Sequence, residues 1–493
     1  MTDAAAPPTP AHLFLACWGV LAALAPHQRS AAQKTTHGFI ETARGMAALD
    51  DAAHAVQGLQ ALMDAKTVSE RRGRMLGIMI AIDMVFAMIH PRSPRAPTRR
   101  APRPPAWLLA LQDQRIAEGH FIADAGLALI PRGPLLRTAR DVHASSADTL
   151  ADRFAYLCAV KTSLDDHGSA ITVSLRCIGM DLLNGVEPVA MPGAERIAFI
   201  PLAEAADDLD IHPVDRGGNP HAFYGPAAKL PCAERFLDAL DALGEQDLAV
   251  APELVMRETD AGLIQTRLLQ TKASPRLLLL GTGHSAECHE GQAYNEALLV
   301  NSVGTELWRQ RKLWPASLDT AFACQLGLCG VGTHGHIPED NAASRQVELV
   351  DIDGFGRLLV LICQDLKLTA LDPLIEASQP DWILLPILAD NLDVGRWAHR
   401  RALAISENAQ SRFVGVTSRT LAMHYNTPST TIGFALGPAQ PAGDDEPLAM
   451  DRAAMFIAAD LGAIPAKGTT IWHGAGWIQS TVGAYAGVPA DDP

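Results

Sequence analysis

Three residues in this sequence have the chemistry of a nucleophile, a base and a charge stabiliser, and each closes or follows an apolar run. Cys363 ends the run in LLVLICQDL, at 358–366, and is followed at once by the polar pair Gln364 and Asp365. A strand that delivers a thiol to its carboxyl end and then turns polar can present a nucleophile. Taken alone, such a cysteine is more often a core residue, because free cysteine is among the most buried residue types. Glu253 closes a second short run, DLAVAPEL at 247–254, directly after Pro252. Lys312 lies in LWRQRKLWP at 307–315, beyond the strand-like YNEALLVNSVG at 294–304. A strand-end Glu is ordinarily solvated and a Lys beside two arginines is ordinarily on the surface. The order Glu, Lys, Cys, each beside a β segment, is what chance does not readily produce.

Those pieces, together with DWILLP at 381–386 and RALAISENAQSRFVGVTS at 401–418, resemble the nitrilase superfamily of carbon–nitrogen hydrolases over roughly residues 190 to 465. The resemblance implies an α/β fold, the αββα sandwich of that family, with RIAFIPL as its first strand and CAERFLDALDALG as its first helix. It implies a Glu253, Lys312, Cys363 triad. It also implies a second, supporting glutamate between the lysine and the cysteine, for which Glu339 in HIPED is the candidate. Nitrilases proper usually have Trp and Glu after the cysteine, whereas this chain has Gln364 and Asp365, so an amide or N-carbamoyl substrate is expected in preference to a nitrile.

The residue types support that chemistry directly. A thiol with an unperturbed pKa of about 8.5 is mostly protonated at neutral pH and needs a base or a nearby positive charge. Glu253 would be the base, and Lys312 would stabilise the thiolate and then the oxyanion. The backbone N–H of Gln364 would be a second oxyanion donor. Glu253 would pass its proton to the departing amine, leaving a thioester for water. Burying a Glu and a Lys costs several kcal/mol each unless they are paired, so mutual compensation is a requirement of the scheme.

The loop before Glu339, ACQLGLCGVGTHGH at 323–336, is longer than the family pattern and is expected to lie over the pocket. Cys324, Cys329, His334 and His336 could join His284, Cys288 and His289 around an ion, but the intervals match no common zinc pattern, so no metal and no cofactor are expected.

A chain of 493 residues leaves room beyond one such domain. The expected organisation is a helical region at 1–90, a Pro/Arg-rich linker or loop at 91–105, a second helical region at 106–168, the hydrolase-like domain at 169–466 and a Gly/aromatic tail at 467–493. In the first region an apolar stretch at 12–25 lacks a basic leader, which argues against a signal peptide. Met46, Leu49, Ala53, Val56, Leu59 and Met63 recur at helical spacing, which predicts one amphipathic helix. MLGIMIAIDMVFAMI at 75–89 carries Asp83 and is too short to span a bilayer, so it is read as a buried helix or an oligomer contact. The segment at 90–105 holds six prolines and five arginines and reads as a solvated spacer. WLLALQDQRIAEGHFI and DTLADRFAYLCAVKTSL are both read as helices. The tail, with Trp472, Trp477 and Tyr485 among glycines, reads as an extension packing on another subunit or on the helical domain.

A hydrophobic content of 48% with 19% charged residues marks a globular chain, and a net charge of −15 argues against non-specific nucleic-acid binding. Eight cysteines without a framework spacing fit a reducing compartment, so a cytoplasmic protein off the membrane is expected. The expected partners are a small-molecule amide, a second copy of the chain through the helix at 397–410, and possible proteins bound by the N-terminal helices. Two alternatives stay open: a partner-binding or regulatory module on a hydrolase-like fold, and acyl transfer to an acceptor other than water.

Overall fold

The computed structural model describes residues 8–25, 36–91, 103–133, 135, 150–179, 196–243, 246–270, 275–328, 336–425, 429–438, 452–460, 466–473 and 476–484. Most of the Pro/Arg-rich segment, together with Cys329, His334 and Tyr485, lies outside these residues. The chain divides into two compact units. One holds 1–164, 173–177 and 373–381, and the other holds the rest.

The first unit is built on α1 (Pro10–Ala22), α2 (His37–Ala47), α3 (Ala52–Leu62), α4 (Val68–Phe86) and α5 (Ala106–Glu118). Their apolar faces meet in one core that includes Phe14, Leu59, Ile78, Ile82, Phe86 and Leu108. The run from Met46 to Met63 is two helices and not the single one its periodicity predicts. Asp51 interrupts it, because its carboxylate caps α3 by accepting from the amides of Ala53 (2.9 Å) and His54 (3.1 Å).

The stretch expected to be a second helical region is mixed. After α5 the chain forms an antiparallel sheet of β1 (Ile122–Asp124), β2 (Leu127–Pro131) and β3 (Leu157–Lys161). The consecutive apolar residues Leu157 to Val160 are too few for a helix face, and β3 buries all four against β2 and the core. Asp83, anomalous in an apolar helix, is explained by this sheet. Its carboxylate accepts from the backbone amides of Ala155, Tyr156 and Leu157 at 2.8–2.9 Å. Burial pushes its pKa up to about 6 against the pull of those three amides. A carboxyl whose folded pKa is raised stabilises most at low pH, and that contribution is lost as pH rises through about 6.

β4 (Ser163–Asp166) and β5 (Ser169–Ile178) take residues from both units. The second unit then runs β6 (Arg196–Phe199), the hairpin β7 (Leu209–Arg216) and β8 (Asn219–Pro226), α6 (Cys232–Leu243), β9 (Leu248–Val250) and α7 (Glu258–Gln270). It continues through β10 (Leu277–His289), β11 (Gln292–Asn301), β12 (Glu306–Arg311), β13 (Ser317–Asp319), α8 (Thr320–Gln325) and β14 (His336–Pro338). Next come β15 (Gln346–Ile352), β16 (Gly356–Val360), β17 (Trp382–Ile387), α9 (Trp397–Ala409) and β18 (Arg412–Thr417). β19 (Ser429–Pro438), β20 (Arg452–Asp460), β21 (Ala466–His473) and β22 (Gly476–Ala484) complete it.

Two sheets result. The first has the order β12-β11-β10-β9-β6-β21-β22, and the second contains β20-β19-β18-β17-β16-β15 as successive neighbours. Their centres are parallel, β6 with β9 and β10 in one and β16 with β17 and β18 in the other. Parallel strands are covered on both faces, which is why Leu277 to Leu280 and Trp382 to Leu385 are continuous apolar runs and are fully buried. One face of the first sheet is covered by α6 and α7, through Phe236, Leu240, Ile264 and Leu268 against Leu278, Leu280, Leu298 and Val300. Its other face meets the second sheet: a Cβ added to Gly433 of β19 would lie 2.5 Å from the ring of Phe199 in β6.

α9 covers the far side, turning Ala398, Ala402, Ile405 and Ala409 inward toward β18 and β19. The architecture is helix, sheet, sheet, helix. The segment read as an extension is part of it: β21 pairs antiparallel with β6, Thr469 opposite Ala198, and the backbone of Trp472 is in register with that of Trp477 in β22.

Replacing Asp83 by Ala orphans the buried amide of Leu157 and the part-buried amides of Ala155 and Tyr156 and is expected to destabilise the protein by about 2–4 kcal/mol, since an unsatisfied buried group costs about 1–3 kcal/mol and a part-buried one less. Urea unfolding followed by circular dichroism measures it, and a loss under about 0.5 kcal/mol, the scale of a neutral surface change, contradicts the assigned role.

Candidate active site

The two sheets bring their parallel strand ends together. β9 ends at Val250 and leads within three residues to Glu253, while β16 ends at Val360 and leads to Cys363. Carboxyl ends of adjacent parallel strands are where α/β sheets ordinarily gather polar groups. Glu253 is anchored to the facing sheet: its amide donates to the carbonyl of Ile387 (3.5 Å) and its Oε2 accepts from the amide of Leu388 (2.9 Å).

Lys312 follows β12, and its amide donates to the carbonyl of Asn295 in β11 (2.8 Å). Its ammonium is fully buried between two carboxylates, 2.7 Å from Glu253 Oε1 and 2.6 Å from Glu339 Oε2. Glu339 follows β14, and its Oε2 also accepts from the amide of Ala316 (3.0 Å) and from Asn341 Nδ2 (3.0 Å). Glu253, Lys312, Glu339 and Cys363, named from sequence, therefore stand in one buried cluster. The thiol of Cys363 is within hydrogen-bonding reach of the Glu253 carboxylate.

One ammonium between two carboxylates cannot satisfy both equally. Burial works to raise both acids, yet Glu339 ends below the usual carboxylate range because Lys312, the Ala316 amide and Asn341 outweigh it. Glu253 ends above that range, because burial and the Glu339 charge outweigh Lys312. Lys312 itself is held well above its ordinary value; burial opposes this, and the two carboxylates overcome it. Burial also pushes the Cys363 thiol well up, with the Glu253 charge adding to it and Lys312 opposing. This direction favours the proton on sulfur, beside the more basic of the two carboxylates.

Cys363 has φ of +50°, in the left-handed region that disfavours a side chain, and it opens a short 3-10 turn through Lys367. Asp365 holds that turn. Its carboxylate accepts from the amide of Ile362 (3.2 Å) and, with both oxygens, from the amide of Leu313 (3.1 Å each), which ties the cysteine turn to the residue after Lys312. Burial pushes Asp365 up to about 7. Gln364 is half-buried in the same turn, whose first internal bond runs from the amide of Asp365 to the carbonyl of Ile362 (3.1 Å).

Asn295 was not singled out from sequence. Its Nδ2 donates to Glu253 Oε1 (2.9 Å), and its Oδ1 accepts from Thr282 Oγ1 (2.5 Å), which itself accepts from the Leu254 amide (2.9 Å). The available signal was an asparagine two residues before the apolar run Ala297–Val300 of β11, since buried amides are hydrogen-bonded.

The expanded loop divides. Ala323, Leu326 and Leu328 are buried in an apolar cluster with Tyr224, Leu254 and Leu421, beside Glu253. Among the described residues no group of three His, Cys, Asp or Glu is placed to hold a metal ion. His284 stacks on Phe223 with its Nε2 at 2.7 Å from the Tyr224 carbonyl, and Cys324 is disulfide-bonded.

No family model matches the chain, and no curated protein matches it. Solved structures of nitrilase-superfamily proteins do match. Saccharomyces cerevisiae Nit3 is 14% identical with a TM-score of 0.31, over 58% of this chain and 90% of its own. A nitrilase-superfamily amidase from Nesterenkonia AN1 is 14% identical with a TM-score of 0.31, over 56% of this chain and 94% of its own. The glutamine-dependent NAD+ synthetase of Acinetobacter baumannii is 12% identical with a TM-score of 0.33, over 59% of this chain. The match spans only 44% of that synthetase's length.

The left-handed backbone at Cys363 generates an inverted ranking. Cys363→Gly is expected to be more stable than Cys363→Ala by about 1 kcal/mol, the reverse of the usual order in regular structure. Denaturant midpoints of the two variants measure it; an alanine variant as stable as the glycine variant contradicts the strained turn.

Proposed function

We propose that the protein hydrolyses a carbon–nitrogen bond of a small amide or N-carbamoyl compound through a thioester on Cys363. The observation that carries this reading is the asymmetric cluster, in which one buried lysine joins two carboxylates and leaves the basic one, Glu253, at the thiol. Where environments push two acids apart, the one with the raised pKa is suited to exchange protons and the other to stay charged.

In the first step Cys363 Sγ attacks the carbonyl carbon while Glu253 takes the thiol proton, so no free thiolate accumulates. The carbonyl oxygen becomes an oxyanion. An ammonium has three N–H groups, and Lys312 commits two to Glu253 and Glu339, which leaves one for that oxygen. The backbone N–H of Gln364, at the open start of the turn, is the second donor in this scheme. Collapse of the intermediate breaks the C–N bond, with the Glu253 proton going to the leaving nitrogen. Water then attacks the thioester with Glu253 again as base, and the proton returns to sulfur as the acid departs. Glu339 stays ionised and positions Lys312.

A panel of simple amides assayed for ammonia tests the reading. Cys363→Ala should lower release by on the order of 10⁴-fold or more, as loss of a nucleophile does elsewhere. Unchanged release would sink the proposal.

The pH profile gives a second test. Glu253 must be unprotonated to act, so kcat/KM should rise with pH through a pKa above the ordinary carboxylate value. Because the Glu339 charge helps raise that pKa, Glu339→Gln should move the acid limb of the residual activity to lower pH. A limb that stays in place or moves upward contradicts the pairing.

A further inference from the structure

The hairpin β7–β8 sits between the first strand and the first helix of the second unit, and no step above uses it. It is fastened to the site. Arg216 makes two 2.8 Å hydrogen bonds to the carboxylate of Asp340, the residue after Glu339, and the Asp340 amide donates to the carbonyl of Ala222 (2.9 Å). Ala222 and Glu339 form a parallel bridge.

Side chains alternate along a strand, so Tyr224 shares the face of Ala222, while Phe223 points the other way into a stack with His212 and His284. Tyr224 is 4% exposed and packs with Leu254, Leu326, Ile337 and Leu421. Leu254 adjoins Glu253, and Ile337 lies two residues before Glu339. The Tyr224 hydroxyl is therefore beside the charged cluster, and its acidity is suppressed first by burial and then by the Glu339 charge. Among the described residues its Oη has no hydrogen-bond partner. A buried hydroxyl without a partner is a standing penalty of about 1–3 kcal/mol, which a bound ligand can relieve.

We propose that Tyr224 is a specificity-determining residue of the thiol site, donating its Oη–H to an uncharged oxygen carried by the amide substrate next to an aliphatic portion that lies against Leu254, Leu326 and Leu421. The substrate class is a small hydroxy- or oxo-substituted amide. Two carboxylates against one ammonium make the surroundings net negative, which disfavours a substrate carboxylate at this position. The inference rests on the amide-hydrolase reading and narrows it.

The test measures equilibrium binding by calorimetry to the full chain carrying Cys363→Ala, with and without Tyr224→Phe, using butanamide and its 2-, 3- and 4-hydroxy derivatives. At least one hydroxy derivative should bind about tenfold more tightly than butanamide, and Tyr224→Phe should erase that advantage, as loss of a hydrogen bond to an otherwise unpaired hydroxyl requires. Butanamide itself should bind both chains within about twofold, because Tyr224→Phe keeps the apolar ring contacts. Removing a hydroxyl that has no protein partner should leave the thermal midpoint unchanged or higher.

If butanamide binds but no hydroxy derivative gains, or the gain survives Tyr224→Phe, the inference is wrong and the hydrolase reading stands. A midpoint several degrees lower makes the hydroxyl structural and also overturns it. If none of the four amides binds the Cys363→Ala chain, the hydrolase reading fails and this inference falls with it.

Discussion

The Lys312 ammonium, fully buried with carboxylate oxygens at 2.7 and 2.6 Å, is the interaction on which the rest of the site depends. Removing a charge of this kind from water costs several kcal/mol, which is recovered only if the opposite charges and remaining hydrogen bonds are in place. They are in place here because three separate segments converge. Glu253 comes from the end of β9, Lys312 from the end of β12, and Glu339 from the end of β14. With two acids on one base, one carboxylate is left less well compensated and is the one pushed above the usual range. That is Glu253, and its neighbour is the thiol.

The sheets supply the rigidity this requires. Cys363 could not keep its left-handed backbone on a mobile loop, but it is clamped between a buried parallel strand and the Asp365 carboxylate, which reaches to the Leu313 amide next to the lysine. Asn295 and Thr282 do the same for Glu253 from β11 and β10. Glu253, Glu339 and the Cys363 turn are thus each held by a further buried polar residue, Asn295, Asn341 and Asp365. The hairpin β7–β8 is fixed to the same framework through Asp340, one residue from the carboxylate that positions the lysine.

The central strands were legible because parallel strands buried on both faces leave continuous apolar runs, and Cys363 and Glu253 stood out as polar residues where those runs stop, whereas Lys312, beside arginines beyond an antiparallel strand, was reached through its order between them and through resemblance. Glu339 was reached through resemblance; in sequence, HIPED is an acidic loop like many others. Asp365 and Asn295 were within the quoted segments but were not assigned, because a positioning role exists only in the third dimension. Tyr224 lies in β8, a segment to which no motif was assigned. The helical unit was partly misread for two physical reasons. A periodicity does not reveal where a cap such as Asp51 divides it, and a four-residue apolar run such as Leu157 to Val160 is ambiguous between strand and helix. The tail was misread because its glycines and aromatics suit a hairpin as well as a loose extension, and only the pairing of β21 with β6 decides.

The central claim is that Cys363 becomes acylated at the expense of a C–N bond. Mixing the wild-type chain with butanamide, quenching in acid during turnover and mapping peptides by mass spectrometry tests it most directly. The account predicts a butanoyl group, the amide less ammonia, on the peptide containing Cys363, present during turnover and gone when the amide is consumed. Consumption of the amide with Cys363 unmodified at every time point would contradict it.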